Sequence, residues 1–128
     1  MKSESLRPIR VLLVDDDIEY SAGLKILLEK RGIETDIAPD AEKGWSFFVV
    51  NDYDLVITDI KLPGKNGLGF ITDMKNRRSS VKILAITAGG YIPAEDYLRV
   101  SILFGANRAL AKPFSFDQLL DEILTIVD

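Results

Sequence analysis

The chain has 128 residues, 47% of them hydrophobic and 28% charged, enough for one domain with a proper core. Its 16 basic and 20 acidic residues leave a net charge of -4, which speaks against the basic face of a duplex-DNA reader, so no direct nucleic-acid contact is expected. Cysteine and histidine are both absent, which excludes disulfides, thiolate nucleophiles, cysteine–zinc sites, Ser–His–Asp catalysis and histidine ligation. Any chemistry must run on carboxylates, hydroxyls, lysine, arginine and backbone groups. Residues 1–10 lack the apolar stretch of a secretory signal, and no apolar run approaches the roughly 20 residues that span a bilayer. No membrane association and a cytoplasmic location are therefore expected.

Residues 9–14 (IRVLLV) form a near-continuous apolar run, the pattern of a strand buried on both faces. Tyr20, Leu24, Leu27 and Leu28 then recur at helical steps, and Gly32 stands where a helix C-terminal cap belongs. Ile33, Thr35 and Ile37 alternate with Glu34, Asp36 and Ala38, which suits a less buried edge strand. Asp40 can cap a helix running through Trp45, Phe48 and Val49. Residues 55–58 are a second buried run and residues 81–86 a third; the helix between them starts near Leu68 and turns Ile71 and Met74 inward. Pro93 opens another helix, Ala94–Phe104, which Gly105 ends. Residues 109–111 make a short last strand. Ser115 and Gln118 pair as a capping box for a final helix carrying Phe116, Leu119, Leu120, Ile123 and Leu124. Strands separated by helical crossovers predict an α/β fold with a parallel sheet and helices on both faces.

In such sheets, ligand-binding groups gather at the carboxyl ends of the strands. The first strand ends in Asp15, Asp16 and Asp17, the third in Thr58 and Asp59, the fourth in Thr87 and Ala88, and the fifth in Lys112 and Pro113. Each has an ordinary role open to it. Asp17 suits a helix N-cap, Thr87 a strand-end hydroxyl, Lys112 a snorkelling side chain and Asp59 a turn residue. Jointly they say more, because strand assignments made without them put all of them on one rim.

Carboxylates brought together repel, and a hard divalent cation relieves the repulsion; Mg²⁺, with Mn²⁺ as the alternative, suits a small site of carboxylates, a carbonyl and waters. A carboxylate beside such a metal can attack phosphorus, with Lys112 meeting a phosphoryl oxygen and the Thr87 hydroxyl bonding the product. A permanently bound phosphate at the first turn is disfavoured, since that turn reads Asp-Asp-Asp and has no glycine-rich cradle.

The stretches VLLVDDD (residues 11–17), DLVITDIKLPGKNGLGF (54–70), ILAITA (83–88) and LAKPF (110–114) resemble the receiver domain of two-component response regulators, in that family's order and at compatible spacings. The likeness covers almost the whole chain. It implies a flavodoxin-like (βα)5 doubly wound sheet of strand order 2-1-3-4-5, in a single domain over 1–128 with about residues 1–7 as a flexible lead-in. It also implies a phosphoacceptor at Asp59, a metal held by Asp16 directly, by Asp15 through water, by Asp59 and by the backbone carbonyl of Lys61, and a cis Lys112–Pro113 bond. Thr87 resembles the switch hydroxyl, with Ala88 beside it at the phosphoryl group, and Lys112 the family's lysine. The donor would be phosphohistidine on a sensor histidine kinase or a histidine phosphotransfer protein. The phosphorylated form would act on an output domain or downstream protein, and the chain itself would not be an enzyme beyond assisting its own phosphorylation and dephosphorylation.

Two features depart from the family pattern. Many receivers carry an aromatic residue three positions before the lysine, where this chain has Ala109, and the segment AGGYIPAED after Thr87 is a few residues longer than usual. Movement of that segment with Tyr91 can replace the missing ring, or Tyr91 can simply cover the edge of the core. Helix 94–104 is apolar on more than one side, through Tyr97, Leu98, Val100, Ile102, Leu103 and Phe104, which suits a partner or homodimer surface or packing under the long segment. Ala109 also keeps open a second function: a pseudo-receiver that binds or dimerises without phosphorylation. The end of the sequence leaves open whether this is a single-domain regulator or the receiver part of a longer protein.

Overall fold

A computed structural model describes residues 7–88 and 93–128. Five strands and five helices alternate: β1 (Arg10–Val14), α1 (Ile18–Lys30), β2 (Glu34–Ala38), α2 (Ala41–Phe48), β3 (Leu55–Asp59), α3 (Gly67–Arg77), β4 (Ile83–Thr87), α4 (Ala94–Phe104), β5 (Arg108–Ala111) and α5 (Phe116–Val127). All strands are parallel, in the order β2-β1-β3-β4-β5. This is the flavodoxin-like topology expected from the resemblance.

The apolar runs make sense in this sheet. Successive residues of a strand point to opposite faces, so a strand covered on both must be apolar throughout. Val11, Leu13, Leu55, Ile57, Leu84 and Ile86 pack on one side with Leu24 and Leu28 of α1 and Leu119 and Ile123 of α5. Leu12, Val14, Val56, Ile83 and Ala85 pack on the other with Phe48 of α2, Phe70, Ile71 and Met74 of α3, and Tyr97 and Leu98 of α4. In β2, at the edge, Glu34 is exposed and Asp36 and Ile37 are half-buried.

Local sequence sets the helix ends. Asp17 accepts from the Tyr20 amide at 3.1 Å, Asp40 from Lys43 at 2.8 Å and Asn66 from Gly69 at 2.9 Å, each meeting an amide the first helical turn leaves unpaired. Ser115 and Gln118 form the expected reciprocal capping box. Gly32 and Gly105 follow α1 and α4 at positive φ, 79° and 123°, where a side chain would strain the backbone.

Some expectations need correction. β4 starts at Ile83, because the Val81 amide is used in the turn after α3, where it donates to the Arg78 carbonyl at 3.0 Å. Leu27 and Leu124 lie outside the core at 42% exposure each: a helix on a flat sheet buries a narrow stripe, and these residues flank it. On α4, Val100, Ile102, Leu103 and Phe104 are exposed, whereas Tyr97 is half-buried against the core. Tyr91 and residues 1–6 lie outside the described residues. Arg7, at the start of the described residues, makes a paired guanidinium–carboxylate contact to Asp54 at 2.8 and 3.0 Å.

Candidate functional site

Neighbouring parallel strands end on the same rim, so the strand order dictates which side chains meet. β1 lies beside β3 with Val14 opposite Thr58, which brings Asp15 and Asp59, the residues that follow them, close together. β3 lies beside β4, and β4 beside β5 with Thr87 opposite Ala111. The Lys112 amide then donates to the Thr87 carbonyl at 2.9 Å, which sends the lysine side chain from the same rim.

Asp15, Asp16 and Asp59 each offer a carboxylate oxygen, and these oxygens lie within 4.8 Å of one another. Asp15 is buried at 1% exposure and Asp59 at 6%, while Asp16 is exposed. The Lys112 ammonium bridges the two buried acids, 2.7 Å from Asp15 Oδ2 and 2.9 Å from Asp59 Oδ2. The remaining oxygens are also used: Asp15 Oδ1 accepts from the Asp17 amide at 3.0 Å and Asp59 Oδ1 from the Lys61 amide at 2.9 Å.

The electrostatics follow from this geometry. Burial pushes the Asp59 carboxyl above its ordinary value, with Asp15 adding to the rise, while the hydrogen bonds from Lys112 and the Lys61 amide hold it back. Burial works against the Lys112 ammonium too, but its bonds to Asp15 and Asp59 outweigh burial and raise it. A buried anion that is costly to ionise, beside two further carboxylates, is an all-oxygen donor set of the hardness that Mg²⁺ prefers. The residues present therefore fit a divalent cation.

Thr87 is fully buried at the end of β4, and Ala88 is exposed just beyond it. The Lys61 side chain is exposed. The Lys112–Pro113 bond is cis, as expected. Ala109 is half-buried on the face of the sheet that also carries Tyr97, so neither is part of the exposed apolar strip of α4. A larger cleft of about 570 Å³, lined by residues that include Asp40, Trp45, Lys65, Phe70 and Asp73, shares nothing with the acidic cluster.

Two residues matter more than their sequence context suggests. Gly67 opens α3 against the end of β3: a Cβ there would sit 2.3 Å from the Asp59 carbonyl oxygen and 2.6 Å from Ile60 Cα. Pro63 and Gly67 mark a turn after Asp59 in the sequence, but nothing local marks that close approach. Tyr20 reads as one residue of the α1 core stripe, yet its ring centroid lies 5.1 Å from the Lys112 ammonium. Nothing local in the sequence marks that contact.

Among the described residues no helix is long and apolar enough to cross a membrane. The chain is 30% identical over 119 residues to the transcriptional regulatory protein RprY of Bacteroides fragilis, covering 93% of this chain and 49% of that protein. It is 32% identical over 119 residues to the probable transcriptional regulatory protein SilR of Salmonella typhimurium, covering 93% and 51%. The chain thus spans about half the length of the curated relatives it matches. Among solved structures it resembles a CheY-like receiver domain protein of Methanospirillum hungatei, with TM-score 0.86, 30% identity and 94% of each chain covered. It also resembles the response regulator TrrA of Thermotoga maritima, solved in complex with Mg²⁺–BeF, with TM-score 0.81, 30% identity and 92% and 98% covered. The model of the response regulator receiver domain matches residues 11–124, nearly the whole fold, and the chain belongs to that family of two-component signalling domains.

Proposed function

We propose that Asp59 is the phosphoacceptor of this receiver domain. One observation carries the proposal: three carboxylates from the ends of β1 and β3 converge, with Lys112 bridging the two buried ones. A carboxylate oxygen of Asp59 attacks the phosphorus of phosphohistidine on a sensor histidine kinase or histidine phosphotransfer protein. The O–P bond forms as the N–P bond breaks, and the imidazole leaves on the donor chain.

Asp15, Asp16, Asp59 and the Lys61 carbonyl would hold Mg²⁺, or Mn²⁺ in its place. Bound there, the cation supplies charge neutralisation for the phosphoryl oxygens. Every other task falls to the chain. Lys112, already 2.9 Å from Asp59, meets a phosphoryl oxygen, and the Thr87 hydroxyl and Ala88 backbone bind the transferred group. The Lys61 amide, donating to Asp59 Oδ1 at 2.9 Å, fixes the carboxylate plane. The Mg²⁺–BeF complex of the TrrA relative supports the same ligand chemistry here.

The phosphorylated domain acts on an output domain or downstream protein in the cytoplasm; the relatives named as transcriptional regulators support an output in transcriptional control. Incubation with Mg²⁺ and acetyl phosphate followed by intact mass tests the assignment. A phosphate-sized increment in the wild type that is lost in Asp59→Asn supports it. A wild-type chain that takes no phosphate favours a phosphorylation-independent pseudo-receiver, to which Ala109 in place of the usual aromatic also points.

A further inference from the structure

The Lys112 ammonium has three protons, and the two carboxylates account for two directions. A third side of the ammonium meets the Tyr20 ring, whose centroid is 5.1 Å away, inside the range of a cation–π contact. That ring is itself braced: Phe114, two residues past Lys112, packs edge-on against it with centroids 6.3 Å apart and planes at 62°. Tyr20, Lys112 and Phe114 together line a cleft of about 440 Å³ beside the acidic cluster, with Asp17, Ala88 and Pro113.

A lysine side chain is long and flexible, and its aim depends on its partners. The two carboxylates are variable partners, since each is also a donor to the divalent cation inferred above and Asp59 is the group that becomes esterified. The Tyr20 face is a constant one. We propose that Tyr20 is a positioning residue for Lys112, its π face holding the ammonium over Asp59 while the carboxylates change partners. The proposal rests on the phosphoacceptor assignment of Asp59.

Tyr20→Phe keeps the ring, Tyr20→Leu removes it, and Tyr20→Phe with a fluorinated ring keeps the shape but drains the π face. Initial rates of phosphate uptake from acetyl phosphate, read by intact mass, should stay within about twofold in Tyr20→Phe and fall about five- to tenfold in Tyr20→Leu. Progressive fluorination should lower the rate stepwise. In a Lys112→Met background, Tyr20→Leu should change the residual rate less than about twofold, whereas a merely structural ring would cost the same in both backgrounds. In the metal-free, unphosphorylated protein, the Lys112 ε-methylene protons should show an upfield ring-current shift that Tyr20→Phe keeps and Tyr20→Leu loses.

A Tyr20→Leu rate equal to wild type, an equal loss with and without Lys112, or no effect of fluorination overturns the proposal. A wild-type chain inert to acetyl phosphate overturns the assignment of Asp59 instead, and the ring-current comparison still decides whether Tyr20 holds Lys112.

Discussion

Removing the Lys112 charge is the most direct test of the site's electrostatics. Lys112→Met keeps an unbranched side chain and deletes the ammonium that lies 2.7 Å from Asp15 and 2.9 Å from Asp59, whose side chains are 1% and 9% exposed. Taking away one partner of a buried ion pair costs about 3–5 kcal/mol, because the charge left behind has neither water nor counterion. Lys112 keeps 19% exposure, so water recovers part of that, and about 2–4 kcal/mol is expected. At this chain length 1 kcal/mol moves the melting temperature by about 3–5 °C, so the variant should melt about 10 °C below wild type in EDTA at neutral pH.

The sign of the pH dependence follows from Asp59. Burial already raises its carboxyl, and losing the ammonium raises it further. A raised carboxyl contributes most to stability when protonated, and that contribution is lost as pH climbs through the folded-state value. The gap between variant and wild type should therefore shrink as pH falls from neutral towards the ordinary carboxylate range. Magnesium should shrink it as well: a cation at about 100 times its Kd adds about 2.7 kcal/mol, and without Lys112 it no longer competes with an ammonium for the same oxygens. Calorimetry in EDTA and in millimolar Mg²⁺, across that pH range, measures both effects. A gap of only a few degrees, unmoved by pH and by magnesium, would refute the reasoning.

Asp59→Asn should be more stable than wild type in EDTA at neutral pH, because it removes a carboxylate that burial disfavours; the gain should vanish below 3.8, where Asp59 is protonated folded or unfolded. Urea midpoints against pH measure this, and a destabilised variant would contradict the burial argument. Gly67→Ala forces a Cβ to within 2.3 Å of the Asp59 carbonyl oxygen, so the start of α3 must move by about 0.7 Å to reach even a 3.0 Å contact. We expect a loss of about 3 kcal/mol in thermal melts and phosphate uptake slowed about 100-fold, as the Asp59 turn is displaced. Gly23→Ala, in α1 with nothing within 4 Å of the added carbon, should instead raise the urea midpoint by the equivalent of about 0.5–1 kcal/mol.

What was legible in the sequence was whatever depends on a residue's immediate neighbours or on the burial of a whole element. The strands showed as apolar runs because both faces of the sheet are covered, and the caps at Asp17, Asp40 and Ser115 showed because an N-cap bond spans only three residues. The acidic cluster was legible at one remove, since the alternation of strands and helices puts every strand end on one rim. Less visible was anything set by a particular contact between distant residues. Leu27 and Leu28 look equivalent in the sequence, and only the contact line of α1 with the sheet decides that one is buried and the other exposed. The close approach at Gly67 and the ring of Tyr20 behind Lys112 belong to the same class.

The same distinction applies within the site. Which residues meet was fixed by strand order, but how their charges balance depends on distances. Three converging carboxylates and one ammonium leave the cluster two positive charges short of neutrality. Lys112 satisfies the two buried acids and leaves exposed Asp16 without a share of its charge. A single divalent cation would make up that deficit, and the phosphoryl transfer proposed for Asp59 would then take place at a balanced site instead of a repelling one. Burial raises the Asp59 carboxyl, so positive charge from Lys112, and from a cation bound beside it, would favour its ionised, nucleophilic form more strongly than that of an exposed aspartate.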